Sequence, residues 1–235
     1  MTGRDRVSIG WILAMDTGTS EIVVAAGDLD GVVLASIAEP AGFRHGELLL
    51  LAVERLLADA GLERGQLRGI AVGTGPGAFT GLRVGLATAK TLAHAMGVPL
   101  FGIGTAEALI QAAAGFGKPT QPDESIVLLL PAGPRDRVIV RDGEAPRMLT
   151  DDAELAAVDP ARVVAVDLEG RAPEAAVARG AAARTRLGAE LIRIGAERLR
   201  SGSADDPELL VPNYVTLPRG IRATTGAIEW SHDPR

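Results

Sequence analysis

The first part of the chain consists of short apolar runs that are separated by turn residues. The runs WILAMD at 11–16, EIVVAAGD at 21–28 and VVLASI at 32–37 have the length of strands. Turn residues such as Gly18 and Gly31 lie between them and favour tight hairpins. The pattern therefore predicts three consecutive strands that are joined by two hairpins.

Helices and strands alternate after the third strand. Apolar residues recur at helical spacing at about 45–60 and from Leu82 onward, which predicts a helix in each place. The other elements of this half are the strands GIAV at 69–72 and PLFGI at 99–103 and the helix TAEALIQAAA at 105–114. Three strands followed by alternating helices and strands form one mixed sheet that is covered by helices, so the fold class is α/β.

The second half of the chain predicts a smaller lobe. Its strands and its last helix are SIVLLLPA at 125–132, RVIVRDG at 137–143, RVVAVD at 162–167 and LGAELIRIGAERLR at 187–200. The stretch before it is rich in Gly, Pro and polar residues, which is typical of a linker. We therefore predict an N-terminal lobe at 1–113, a linker at 114–125 and a C-terminal lobe at 126–235. The last lobe ends in an extended, partly disordered tail after Pro207, with Tyr214 against the body.

The helix at 45–60 is more apolar than a helix on the outside of a sheet needs to be. Four consecutive leucines occupy 48–51, and at about 100° per residue they spread over most of the helix circumference. A second cover, from another lobe or another protein, is expected on this helix. The helix from Leu82 has a face of small residues, which allows close approach of helices, and an opposite solvated face. The small residues are Gly85, Ala89 and Ala93, and the polar residues are Arg83, Lys90 and His94.

Charge and composition exclude several classes of protein. A net charge of −6 and a pI near 5.2 speak against a chain that grips a nucleic-acid backbone by itself. The sequence has no cysteine, which excludes disulfides, thiolate nucleophiles and cysteine zinc sites. The apolar run IGWILAM near the N-terminus is too short to span a membrane and lacks a cleavage site, so a cytoplasmic protein is expected.

The stretch AMDTGTS at 14–20 is the first candidate for chemistry. A carboxylate at the end of a strand precedes hydroxyl groups and a glycine N–H, a set that could hold magnesium and a nucleotide phosphate. The residues of this candidate phosphate loop are Asp16, Thr17, Gly18 and Thr19. The alternative is an ordinary hairpin turn whose carboxylate accepts local N–H bonds. The residues alone leave both interpretations open.

The stretch GTGPGAFTG at 73–81 is the second candidate, and it joins a strand to a helix. Free N–H groups at a helix start suit phosphate, whereas glycines suit close packing and Thr80 can cap the helix. The spacing is neither G-x-x-x-x-G-K-[ST] nor a clean dinucleotide fingerprint. No catalytic residue and no metal site is predicted, because the three histidines are isolated and the sequence has no G-x-S-x-G elbow.

Together these stretches resemble one family. ILAMDTGTS, the histidine-led leucine-rich helix and the run GIAVGTGPGAFTGLRVGLATAKTLAHAMGVPLFGIGTAEAL are similar to the TsaB (YeaZ) family of bacterial tRNA threonylcarbamoyladenosine biosynthesis proteins. The resemblance extends from about residue 11 to 112, and its longest match lies at 73–85. It implies a two-lobed fold of the actin, Hsp70 and sugar-kinase type, which is ribonuclease H-like.

The resemblance also implies a role and site residues. TsaB-like proteins are non-catalytic paralogues of TsaD, the subunit that transfers threonylcarbamoyl to N6 of adenosine 37 in tRNAs that read ANN codons. They pair with TsaD through their first two long helices, and the ATPase TsaE joins the pair. The implied interface residues are Leu49, Leu50, Val53, Leu57, Arg83, Leu86, Ala89, Lys90 and Ala93. The loop of Gly75, Pro76, Gly77, Phe79, Thr80 and Gly81 is then structural, and the phosphate loop is vestigial.

The same resemblance implies no cofactor of the chain's own, with ATP or ADP possible at the shared interface, a homodimer when TsaD is missing, and only indirect contact with tRNA. The second half departs from the family pattern, because LLLPAGPRDRVIVRDG at 128–143 lacks the usual acidic and tyrosine positions. The alternative function is a small ATP-dependent kinase or ATPase of the same superfamily, in which Asp16 holds magnesium. A third interpretation, direct tRNA binding, is opposed by the acidic charge.

Overall fold

The computed structural model describes residues 10–42, 44–114 and 125–215. The linker predicted at 114–125 therefore lies, apart from its two end residues, outside the described ranges. The strands of the first sheet are β1 (Trp11–Asp16), β2 (Glu21–Asp28), β3 (Val33–Pro40), β4 (Leu67–Gly73) and β5 (Leu100–Ile103). Their order is β3-β2-β1-β4-β5, with β1, β2 and β3 antiparallel and with β4 and β5 parallel to β1. The predicted mixed sheet is confirmed.

Helices cover both faces of this sheet. Successive side chains of a strand point to opposite faces, so Trp11, Leu13 and Met15 face one side of β1, and Ile12 and Ala14 face the other. The helices that follow the first hairpins are α1 (His45–Ala60), α2 (Phe79–Met96) and α3 (Thr105–Ala114). α1 and α2 pack on the side of Trp11, and α3 on the side of Ile12.

α1 and α2 both end at a glycine in the left-handed conformation. Gly61 has φ 63° and Gly97 has φ 62°, and the backbone N–H of each donates to carbonyls of the last turn. α2 begins at Phe79, three residues before the predicted start. Its N-cap is Ala78, and no side chain caps the helix, so the prediction that Thr80 is the cap is wrong. Thr80 lies inside the first turn, where the residue is exposed.

A second, smaller sheet repeats the arrangement of the first. Its strands are β6 (Val127–Pro131), β7 (Arg137–Arg141), β8 (Arg147–Leu149) and β9 (Val163–Ala165). The order β8-β7-β6-β9, with β6 and β9 parallel and the other pairs antiparallel, matches the order β3-β2-β1-β4. This repetition within two lobes confirms the predicted ribonuclease H-like fold class.

The second lobe also contains elements that the sequence pattern did not predict. They are β8, α4 (Ala153–Ala156) and α5 (Glu174–Thr185). β8 and α4 are too short to show a period, and α5 is built mainly of Ala and Arg without an apolar stripe. α5 packs so close to β9 that a Cβ at Gly180 would overlap the backbone oxygen of Ala165.

The last helix, α6 (Leu187–Ser201), lies on the first sheet although the sequence placed it in the C-terminal lobe. Its small residues bring it close to the strands: Gly188 approaches Ala25, and Gly195 approaches Ala71. On the strand side, a Cβ at Gly27 would overlap the side chain of Ile192. Sequence separation concealed this packing, because β1, β2 and β4, on which α6 packs, lie more than 100 residues earlier in the chain.

The two lobes consequently share one core. Ile12, Ala14 and Val23 of the first sheet lie in the same cluster as Leu128 and Val138 of the second sheet. Residues of α3 and α6, including Leu109 and Leu191, fill the space between the sheets. The lobes are therefore joined by a continuous apolar layer as well as by the chain connection.

The described part of the tail, up to Val215, binds along the first sheet. The Asp205 backbone N–H donates to the carbonyl of Leu100 on the edge strand β5 (2.9 Å), and the Asn213 N–H donates to the carbonyl of Thr74 (2.7 Å). The Tyr214 ring stacks at 4.9 Å from the ring of Phe79, which confirms its contact with the body. Among the described helices, none combines the length and the apolar character that a membrane crossing requires.

Candidate functional site

The two candidate stretches lie against each other at the carboxyl ends of β1 and β4. The Ala78 N–H donates to the Gly18 carbonyl (2.8 Å), and the Thr17 hydroxyl donates to the Gly81 carbonyl (2.7 Å). A Cβ at Gly77 would overlap the backbone of Gly18, and a Cβ at Gly81 would overlap the Thr17 carbonyl. The glycines of the 73–81 loop are thus required for close packing on the Asp16 loop.

Asp16 is fully buried beneath this contact. Its Oδ1 accepts the Gly18 N–H at 2.8 Å, and its Oδ2 accepts the Thr105 hydroxyl at 2.6 Å. Thr105 in turn accepts the Gly75 N–H at 2.9 Å. Burial raises the pKa of the Asp16 carboxyl group, and the hydrogen bonds from Thr105 and Gly18 oppose that shift in part.

These contacts bear on the phosphate-loop hypothesis. The structure brings Asp16, Thr17, Gly18 and Thr19 together with the predicted structural loop, but all four are buried. Both Asp16 oxygens are occupied by the chain's own donors, and the Gly18 N–H is used as well. The local geometry matches the simpler interpretation, a turn whose carboxylate accepts local N–H bonds.

A cleft of about 640 Å³ separates the two lobes next to this loop. Its walls combine small and apolar residues with a few polar groups, among them Ser20, His45, Asp136 and Asp167. None of the described residues that line it is Lys or Arg. The volume is typical of a small-molecule site, whereas the lining offers no cationic side chain to a phosphate.

The structure corrects the predicted interface. Four of its nine residues are at most 4% exposed and pack against the first sheet, which leaves a partner almost no access to them; they are Leu49, Leu86, Ala89 and Ala93. Val53 is 6% exposed and lines an apolar groove between α1 and α2. For these four buried residues the prediction is wrong, because the sheet is the cover that the helices needed on that side. Leu50 and Leu51 are 50% and 59% exposed, so a cover from another protein is still expected over these two leucines.

The other predicted interface residues lie at the surface. Leu57 and Lys90 are half-buried, and Arg83 is exposed. Leu50 and Leu57 line an apolar groove of about 260 Å³ between α1 and α2, together with Leu92 and Met96 of α2. Trp11 and Leu13 also line this groove. We refer to it as the helical groove.

Arg83 makes contacts that the sequence did not predict. Its guanidinium lies 3.8 Å from the centre of the Phe79 ring, and its Nε donates to the Tyr214 hydroxyl at 2.9 Å. This cluster fixes the described end of the tail at the start of α2. Tyr214 is the only tyrosine in the sequence, and this was the one feature of the sequence that could have pointed to the cluster.

A second unpredicted cluster joins the lobes. The Asp167 carboxylate, after β9, accepts hydrogen bonds from Ser20, after β1, and forms an ion pair with Arg184 of α5. Asp167 attracts attention in the sequence only as an acidic residue at a strand end, in AVDLEG. Among the described residues, no three His, Asp or Glu side chains form a metal-binding group.

Comparison with known proteins identifies relatives of the chain. The family model for TsaD, tRNA N6-adenosine threonylcarbamoyltransferase, matches residues 33–199. An uncharacterized protein of Mycobacterium tuberculosis is 40% identical over 107 residues, which cover 44% of this chain and 50% of that protein. The tRNA threonylcarbamoyladenosine biosynthesis protein TsaB of Escherichia coli is 35% identical over 102 residues, which cover 43% of each chain.

Solved structures extend the comparison to the fold. YeaZ from Pseudomonas aeruginosa superposes with a TM-score of 0.61 at 22% identity, over 88% of this chain and 100% of that one. The chain spans about half the length, or less, of the curated relatives that it matches. Because the family model covers well over half of the residues, the chain belongs to the family of TsaD, tRNA N6-adenosine threonylcarbamoyltransferase, and its resemblance to the TsaB (YeaZ) proteins is confirmed.

Proposed function

We propose that this protein is a non-catalytic partner subunit of the complex that installs threonylcarbamoyl on N6 of adenosine 37 in ANN-decoding tRNAs. The observation that carries the proposal is the filled loop at Asp16. A magnesium ion or a phosphate needs free oxygens and free N–H groups, and here the chain's own backbone and Thr105 occupy them. A family member without that site acts through the partners that it binds.

The partner that we propose is a TsaD-like subunit, with a TsaE-like ATPase joining the pair in the cytoplasm and tRNA contacted only through the complex. The helical groove supports this proposal, because it is open, apolar and bordered by the exposed Leu50. Two charged residues, Glu54 of α1 and Arg64, are among the residues that line it. An apolar centre with a polar rim is the usual composition of a protein interface.

The substitution Leu50→Glu tests the partner and the surface. We expect affinity for the TsaD-like subunit to fall by at least about tenfold, because an unpaired carboxylate would be buried in the groove. Leu50 is half exposed in the free chain, so the variant should fold. Affinity is measured by calorimetry with the two purified subunits, and folding by thermal unfolding.

Val32→Glu is the matched control, because Val32 is 60% exposed in the β2–β3 connection and does not line the groove. It should bind the TsaD-like subunit like the parent chain. Equal affinity of all three proteins would show that the helical groove is not the interface. Light scattering of the same samples without the TsaD-like subunit tests the homodimer that we propose for the isolated chain.

The interlobe cleft supports a second candidate, an ATP-dependent kinase or ATPase, because its volume suits a nucleotide. Titration of the isolated chain with magnesium ATP distinguishes the partner subunit from the kinase or ATPase. Binding that is lost in Asp16→Asn would favour the kinase. If ATP or ADP binds only after the TsaD-like subunit is added, the nucleotide belongs to the shared interface, as we propose.

A further inference from the structure

The loop after β1 and the loop after β9 meet at the Asp167 carboxylate, which lines the interlobe cleft. The Ser20 backbone N–H donates to Asp167 Oδ2 at 2.7 Å, and the Ser20 hydroxyl donates to Asp167 Oδ1 at 2.6 Å. Ser20 directly follows the predicted phosphate loop. An N–H and a hydroxyl after a strand end form a donor set for an anion, and an aspartate from the other lobe occupies it.

Arg184 completes the same arrangement from α5. Its guanidinium pairs with Asp167 Oδ1, lies 3.3 Å from the Ser20 hydroxyl and contacts a Glu21 carboxylate oxygen at 3.1 Å. The side chains of Arg184 and Asp167 are 15% and 12% exposed. Water screens such a pair less than it screens a surface ion pair. The network therefore links two carboxylates and a serine through one arginine.

The backbone of Asp167 is shaped for this contact. Its φ of 57° is the only positive φ at a non-glycine residue in the described ranges. Such a conformation is sparsely populated and persists when surrounding contacts hold it. Here Arg171 donates to the Asp167 carbonyl at 3.2 Å and to the Gly133 carbonyl at 2.8 Å. The β6–β7 loop, which lines the cleft, is thereby tied to the same point.

We propose that the Asp167 carboxylate is a built-in anion that holds the two lobes at a fixed angle. In this arrangement the chain needs no bound phosphate to bridge the lobes, because Ser20 and Arg184 already bind a carboxylate. This device is separate from the partner role and does not depend on it. It predicts that removal of the carboxylate leaves an anion site bounded by Ser20 and Arg184.

The substitution Asp167→Gly tests the proposal, because glycine adopts the positive φ without strain. The sequence has no cysteine, so Thr80→Cys and Arg135→Cys place one spin label on each lobe. Both positions are exposed. We expect a narrow distribution of label distances in the parent protein and a broad or shifted one in Asp167→Gly. Millimolar inorganic phosphate should restore the narrow distribution in the variant, whereas sodium chloride at the same ionic strength should not.

Two further variants make the test specific. Asp136→Ala removes an exposed carboxylate that lines the same cleft, and it should keep the narrow distribution. In the double variant Asp167→Gly, Arg184→Met, the distribution of label distances should be broad. Phosphate should not narrow it, because the Arg184 cation is gone. An unchanged distribution in Asp167→Gly, or a broad one that phosphate does not narrow, would overturn the proposal. Circular dichroism of each variant verifies that the lobes themselves remain folded.

Discussion

The Asp16 carboxyl group combines complete burial with two hydrogen bonds from the chain's own donors. At the residue scale, this environment has a consequence for stability. Burial raises the pKa of Asp16 in the folded state above the ordinary aspartate value of 3.8. The folded state therefore binds the proton more tightly than the unfolded state does. The tighter proton binding stabilises the folded state. This stabilisation is complete below the pKa that Asp16 has in the unfolded state, and it is lost as the pH rises through the pKa that Asp16 has in the folded state.

Asp16→Asn isolates this effect, because an amide keeps an acceptor for the Gly18 N–H and does not titrate. We expect the free energy of unfolding of the parent, relative to that of the variant, to fall as pH rises from about 4 through the raised pKa of Asp16. Urea unfolding of both proteins from about pH 4 upward measures the difference, in which titratable groups that do not interact with Asp16 cancel. A difference that stays constant with pH would mean that Asp16 is not desolvated as described.

At the scale of elements, the contact between the two loops depends on glycine. Gly77→Ala should destabilise the fold by about 1–3 kcal/mol, because its Cβ would overlap the backbone of Gly18, which has little room to move. Gly65→Ala is the matched control, since no atom lies within 4 Å of a Cβ at that position. Thermal and urea unfolding compare the two variants. Equal stability of Gly77→Ala and Gly65→Ala would contradict the proposed role of the loop glycines in packing.

Several elements were predictable and others were not. β1, β2 and α1 have the predicted boundaries, because their apolar runs are long and are followed by turn glycines. α5 escaped prediction because an alanine-rich helix on β9 needs no apolar stripe. The leucines of α1 indicated a second cover but did not show which of them the sheet already covers. Leu49 lies against the sheet and Leu50 against solvent, although they are adjacent in sequence.

At the scale of the whole molecule, the shared core predicts that the two lobes unfold together. Leu191→Ala in α6 should lower the free energy of unfolding by about 2–5 kcal/mol, because Leu191 is fully buried between the sheets. In a Trp230→Phe background, Trp11 is the single tryptophan and reports on the first lobe. Its fluorescence and the far-ultraviolet circular dichroism should shift by the same amount in urea. A fluorescence transition and a circular dichroism transition that no longer coincide would show that the lobes unfold separately.

The sequence by itself determined most of the elements, the mixed sheet, the family and the glycine-rich loop that carries the resemblance. These features are local, because spacing and turn chemistry within a few residues specify them. Only the tertiary structure decided that α6 returns to the first sheet, which leucines face solvent and that Asp167 meets Ser20 and Arg184. Asp167 and Ser20, for example, are 147 positions apart in the sequence, and no periodicity along the chain encodes which distant atoms become neighbours.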